Sequence, residues 1–261
     1  MAIVRTDDKH YKAIADAIRK ETGLTETIYP KDMVNILPLL KNAGWQIGYE
    51  YGRQSQYDEF WDAFQDNGAK TSYFYGFYGK GWTDANFKPK YDIKPIGNTN
   101  GLFSYAQISN LKQILIDCRV TLDLSKATPV NTTFLGCKQL TYLPIMDFSS
   151  TTTLTGIFSG AEALISIDAI VLKSDGSQTF SEVFKNCYAL EEVRISGAIG
   201  QNGFDVCASP LSHDSLMSII NHLYDYSGTT TTKTLTLGAD NLAKLTDAEK
   251  AIATERGWSL A

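Results

Sequence analysis

The stretch Phe184–Val193, FKNCYALEEV, is spelled almost twice more upstream, as FLGCKQLTYL at Phe134–Leu143 and FSGAEALISI at Phe158–Ile167. Aligned on the aromatic, each copy reads aromatic-x-x-small-x-x-Leu-x-x-aliphatic. The positions are Phe134, Cys137, Leu140 and Leu143; Phe158, Ala161, Leu164 and Ile167; and Phe184, Cys187, Leu190 and Val193. An earlier copy fits at Tyr105, Ile108, Leu111 and Ile114, so successive aromatics lie 29, 24 and 26 residues apart. One such unit cannot fold alone. Burying its four apolar side chains is worth roughly 1.5–3 kcal/mol each, whereas ordering two dozen residues costs about 1–2 kcal/mol of backbone entropy apiece. Stacking, which buries both faces of every unit, is the remedy, and the two ends then need caps.

The tail of each unit also approximates L-x-x-L-x-L, through Leu111, Ile114 and Ile116; Leu140, Leu143 and Ile145; and Leu190, Val193 and Ile195. The Phe158 copy departs, with Ala169 where the last aliphatic belongs. Each unit therefore reads as a short helical or irregular turn followed by a strand of a few residues, and the period lies in the leucine-rich-repeat range. The expected fold is an α/β repeat: a short leucine-rich-repeat solenoid of about four rungs over residues 101–205, with a helical N-terminal segment (1–45), a helix plus aromatic-rich cap (46–100) and an α/β C-terminal cap (206–261).

The flanks carry helix signals. Residues 7–21 place Tyr11, Ile14, Ala15 and Ile18 on one face, with Thr6 as N-cap and Gly23 beyond the end. A second helix starts after Pro30 with Met33, Ile36, Leu37 and Leu40 as its stripe. A third, from Gly48 to about Asp66, lines up Tyr57, Phe60, Trp61 and Phe64. Next comes YFYGFYGKGW, Tyr73–Trp82, with six aromatics in ten residues. Exposed, Tyr73, Tyr75, Phe77, Tyr78 and Trp82 would stack on sugars or a protein partner; the alternative is that these rings form the core of the N-terminal cap. At the other end Ser212 is a good N-cap for a helix with Leu216, Ile219, Ile220 and Leu223 on its face. A strand at 233–238 follows, then a helix opened by the capping box Thr246-x-x-Glu249 and closed by Gly257, and a last strand, Trp258 to Leu260, beside Leu235 and Leu237.

Signals for chemistry are weak. Lys and Arg total 24 against 29 Asp and Glu, a net charge of -5, so no basic field gathers nucleic acid or anionic lipid. The first twenty residues show no secretion-signal pattern and no run is long enough to span a membrane, so we expect a chain made without either. The four cysteines, Cys118, Cys137, Cys187 and Cys207, include no C-x-x-C pair. Cys137 and Cys187 share a slot two units apart, about 10 Å at strand spacing, beyond the roughly 7 Å a disulfide tolerates; both are expected in the core. The SHDS run at 212–215 cannot converge as a triad, because consecutive residues of a helical turn point outward in different directions. His10 and His222 have no metal-ligand partner in sequence, and Gly76, Gly79 and Gly81 lack the strand and helix of a phosphate loop. Glu191 and Glu192, as neighbours on a strand, should face opposite ways. Asn131-Thr-Thr is a glycosylation sequon in form only. No enzyme, metal or cofactor is expected.

The phrases at Phe134 and Phe184 resemble the BspA-like leucine-rich repeats of bacterial surface and phage-encoded proteins, over about residues 103–200. The segments ADAIRKETGLTETIYPKDM (15–33), YDEFWDAFQDNG (57–68) and LTLGADNLAKLTDAEKAIATERGW (235–258) are similar to leucine-rich-repeat proteins of phages and prophages of gut Firmicutes, which accompany tail or other virion genes. The resemblance implies a non-enzymatic virion component, tail-associated, made in the bacterial cytoplasm. Its partners would be a host-surface glycan or protein and other virion proteins, and its state a homo-oligomer, most simply a trimer. The alternative it leaves is an adhesin-like interaction module of the bacterial cell surface.

Overall fold

In the computed structural model, which describes residues 82–85, 87–89, 92–95 and 98–261, Phe134, Phe158 and Phe184 lie in one buried column. Neighbouring ring centroids are 5.7 and 5.6 Å apart, with planes within 15° and 19° of parallel. The helices expected at 7–21, after Pro30 and at 48–66 lie outside the described residues, as do Tyr73, Tyr75, Phe77 and Tyr78.

Backbone hydrogen bonds hold the column in register. The N–H groups of Gly101, Phe103 and Tyr105 donate to the carbonyls of Asn131, Thr133 and Leu135. Those of Thr132, Phe134 and Gly136 donate to Thr155, Ile157 and Ser159, and those of Gly156, Phe158 and Gly160 to Ser181, Val183 and Lys185. Alternate donors reaching the next coil make a parallel ladder. To turn the chain there, each coil enters the left-handed region twice, two residues before its phenylalanine and two after: Gly101 and Tyr105, Thr132 and Gly136, Gly156 and Gly160, Glu182 and Asn186. Three of these eight, Tyr105, Thr132 and Glu182, give no turn signal in the sequence, since Tyr, Thr and Glu enter that region rarely.

The column has a fourth member, and it corrects the first copy. Phe103 stacks on Phe134 at 5.2 Å with planes 5° apart and is 2% exposed, whereas Tyr105, the expected aromatic, is 48% exposed. Asn110 pairs with Tyr142 across the coils, which sets Leu111 beside Leu143 and Ile108 beside Leu140. The first coil is thus one residue shorter than the second between its small residue, Ala106, and Ile108. Even spacing from Leu111 back to an aromatic lands on Tyr105, which is why the sequence pattern misses the shift. The pocket between these two coils, lined by Phe103, Ala106, Ile108, Leu111, Phe134, Cys137 and Leu140, is apolar and has no room for a water molecule.

Three strands, β1 (Tyr142–Asp147), β3 (Ser166–Val171) and β5 (Glu192–Ser196), form a parallel sheet in the order β1-β3-β5. Leu143, Ile167 and Val193 make one buried row. The next row corrects the expected tails. On β1 it is Met146 that is buried, at 0% exposure, while Ile145 is 56% exposed; on β3 it is Ile170, and on β5 Ile195. β1 and β3 step three residues from one inward position to the next and β5 steps two, so the register shifts between Ile167 and Ile170, as at a β-bulge. Ala169 is therefore no defect, because Ile170 supplies its core methyls. A second parallel pair, β2 (Thr153–Thr155) with β4 (Thr179–Ser181), sets Leu154 against Phe180.

Helices replace strands at both edges of the sheet. The first coil's tail, expected as a strand, is α1 (Leu111–Cys118), capped by the Asn110 side chain, with Leu111, Ile114 and Leu115 buried and Ile116 exposed. A short apolar run reads equally as strand or helix, and here the N-cap favours the helix. At the other edge lies α2 (His213–Asn221), with Leu216, Ile219 and Ile220 on its buried face and Leu223 buried just beyond its end, as the sequence predicts. Ser215 Oγ accepts from the Val193 N–H and Ser218 Oγ from the Ile195 N–H, each at 2.9 Å. Two hydroxyls one turn apart thus satisfy the edge donors that would otherwise template another strand. Removing both with Ser215→Ala and Ser218→Ala leaves two donors without partners, each costing about 1–3 kcal/mol; chemical denaturation should read roughly that sum.

Beyond α2 the chain closes on itself. β6 (Lys233–Leu235) pairs in parallel with β7 (Trp258–Leu260), and the crossover carries α3 (Ala239–Leu242), which the sequence pattern does not announce, and α4 (Asp247–Glu255). The Thr246–Glu249 capping box is present and Gly257 sits at φ 81°. Asn241 is buried at the crossover, where its amide donates to the carbonyls of Ser209 (2.8 Å) and Leu237 (3.0 Å).

Candidate functional site

A parallel sheet is usually covered on both faces, yet one face of β1-β3-β5 is open. Tyr142, Ile145, Glu192, Arg194 and Ser196 are exposed there, and Ser166, Asp168 and Ala169 are half-buried. In-register pairing sets Tyr142, Ser166 and Glu192 in one row and Ile145 beside Ala169. At one side, Lys112 of α1 reaches Asp168 of β3 at 2.7 Å. The pair is well exposed and is worth about 0–1 kcal/mol or less, so it fixes a geometry more than it stabilises. The result is a narrow, mixed apolar and charged surface, flanked by α1 and α2, suited to holding another surface. These residues occupy the positions between the repeat's inward ones; strand alternation signals such positions but gives no hint that they remain uncovered.

The sequence-predicted aromatic site is placed only at Trp82. Its ring is buried, edge-on to Phe87 at 5.1 Å, and Phe87 is edge-on to Phe103 at 5.4 Å. Trp82 thus joins the aromatic column as a core residue, its ring buried rather than presented to a partner. The other four members lie outside the described residues.

The SHDS side chains go separate ways. Ser212 Oγ caps α2 by accepting from the Ser215 N–H, His213 Nε2 lies 2.8 Å from Glu249 Oε1 of α4, and Ser215 is taken up by the sheet edge. Asp214 is exposed. Hydrogen bonds from the Thr246 backbone and side chain, and to a lesser extent the His213 contact, hold the Glu249 carboxyl below its usual range. Glu191 and Glu192 are both exposed, because Glu191 precedes β5 and so escapes the strand alternation expected for it. His222 Nδ1 lies 2.7 Å from the Ser218 carbonyl at the end of α2. Among the described residues no group of three His, Cys, Asp or Glu could hold a metal ion.

Cys137 and Cys187 are free, buried thiols. Their Sγ atoms donate to carbonyls of the preceding coil, Cys137 to Phe103 at 2.9 Å and Cys187 to Phe158 at 3.2 Å. Burial pushes both thiols up to about 12, so neither is a nucleophile near neutral pH. The small-residue slot thus does more than fill space where it holds Cys: it ties one coil to the next.

No family model matches the chain, and neither a curated protein nor a solved structure matches it.

Proposed function

We propose that residues 101–205 form a short BspA-like leucine-rich-repeat solenoid and that the protein is a non-enzymatic, tail-associated phage virion component. In this reading the N-terminal segment joins the particle and the repeats offer a surface to the host. The observation that carries it is the parallel sheet whose two edges are covered by α1 and α2 while one face is left open. Covering edges prevents uncontrolled strand addition, and an open face between covered edges is what a presented contact surface needs. The phage assignment rests on the sequence resemblance and the homo-oligomer is part of it.

Mass spectrometry of purified phage particles from the strain that carries the gene tests this reading. The protein is expected in the tail fraction, and light scattering on the full chain is expected to give a trimer. Particles that lack the protein would overturn the reading.

A further inference from the structure

Among the described residues the large aliphatic side chains that stand exposed are Ile116, at 58%, and Ile145, at 56%, and both belong to the open face. Ile145 points out of β1, in register with the half-buried Ala169 of β3. Ile116 lies one turn beyond Lys112 on the same side of α1. That side overhangs the sheet, because Lys112 Nζ reaches Asp168 of β3 at 2.7 Å. Ile116, Ile145 and Ala169 thus make an apolar row across the strands. A charged row runs beside it. Lys112 leads to Asp168, and Arg194 of β5 stands next to Asp168 and Ala169, where the pairing with β3 shifts register. This row holds two cations to one carboxylate. Asp168 is taken by Lys112, and Arg194 is exposed with no salt bridge among the described residues. On the other border of the apolar row, towards the ends of α1 and β1, stand Asp117, exposed, and Asp147, half-buried.

We infer that the open face docks an amphipathic α-helix of a partner protein. The helix lies across the strands, its apolar stripe on Ile116, Ile145 and Ala169 and a border of carboxylates over Lys112 and Arg194. The inference rests on the reading of this face as a host-contact surface and names the class of partner. A parallel sheet is ordinarily covered on both faces by helices, and here the second layer is missing. An extended segment cannot take its place, because strand addition needs a free sheet edge and α1 and α2 cover both edges of this sheet. The face itself offers an occupant side chains and no backbone groups, so the occupant must satisfy its own backbone, as a helix does. The apolar row crosses one helix and the strands beside it, about 15–20 Å at ordinary spacings, which a helix of about 10–14 residues spans. Charge then fixes the sign of each border. A basic border would meet Lys112 and Arg194, whereas an acidic one pairs with them and leaves a neutral or basic border for Asp117 and Asp147.

Two synthetic helices of about 14 residues test the inference, alike in a stripe of leucines on an alanine background, one bordered by glutamates and the other by lysines. Each carries a fluorescent label and is titrated with the full-length protein, binding being read as anisotropy. The glutamate peptide is expected to bind, and the lysine peptide to bind about tenfold more weakly or less. Ile145→Asp or Ile116→Asp should weaken the glutamate peptide roughly tenfold, and Arg194→Glu should reverse the preference between the two peptides. All three side chains are exposed or at the surface of their element, so these variants should melt like the wild type. Tyr188→Ala, which removes an exposed ring outside the face, should leave binding unchanged. No binding of the glutamate peptide, equal binding of the two, or binding indifferent to Ile145→Asp and Arg194→Glu in variants with wild-type melting would overturn the inference. Adhesion to cells of the strain that carries the gene separates it from the wider reading. Adhesion that survives Ile145→Asp and Arg194→Glu together, or that periodate but not protease removes from the cells, sinks helix docking and leaves host contact standing. Peptide binding without any wild-type adhesion sinks host contact and leaves the docking face standing.

Discussion

Leu190→Asp should leave the protein without a cooperative thermal transition. Leu190 is fully buried, in the Leu slot shared with Leu140 and Leu164. A carboxyl there finds an apolar surround: as the anion it faces a desolvation cost far above the whole stability of a domain, and as the neutral acid it still lacks a hydrogen-bond partner. Even the neutral form, with the lost leucine contacts added, costs several kcal/mol against a typical total of about 5–15 kcal/mol. Glu192→Ala, two residues on and pointing into solvent, is the control. It removes no close hydrogen bond, its nearest being a 3.4 Å contact from Ser215 Oγ, and should change stability by about 0.5 kcal/mol or less. Circular dichroism melts of the two proteins read the result directly. Equal effects would mean that the inward and outward positions of β5 are reversed.

Phe158→Ala should be the costliest large-to-small change in the aromatic column. Its ring is stacked on both sides, by Phe134 and by Phe184, and Phe148 leans on it at 6.1 Å. Truncating a buried Phe typically costs about 3–5 kcal/mol, and each aromatic pair adds about 0.5–1.5 kcal/mol beyond burial. The backbone ladder through Phe158 donates to Val183 and cannot collapse to fill the gap without breaking register. At about 2–4 °C per kcal/mol for a unit of this size, Tm should fall by roughly 6–20 °C. Tyr188→Ala removes a ring of similar size four residues from Phe184 and should barely move Tm, because that ring is mostly in solvent. A Phe158→Ala protein that melts like Tyr188→Ala would mean that the column is not what holds the coils together.

The contrast between Phe184 and Tyr188 also marks where the sequence could and could not be read. Phe134, Phe158 and Phe184 were legible because three copies with one spacing fix one slot, and stacking is the only way such units bury it. The faces of α2 and α4 were legible too, since Ser212 and the Thr246–Glu249 box are local signals that owe nothing to the rest of the chain. Of the candidate surface little could be read. Ile145 matches the repeat as well as Met146 does, and only the pairing with β3 decides which faces inward. Tyr105 and Tyr188 carry no mark in the sequence to say that their rings lie in solvent.

What the sequence determined alone is therefore the period, the aromatic and small-residue slots and the capped helices, all set by short-range spacing and local hydrogen bonding. What only the tertiary structure decided is the register of the first coil, the bulged strands, the change from strand to helix at the first edge and which face stays open. Those depend on the neighbouring coil: a strand, a bulge or a helix satisfies the backbone of 111–118 or 142–147 equally well until the adjoining chain supplies its donors, its acceptors and the volume to be filled.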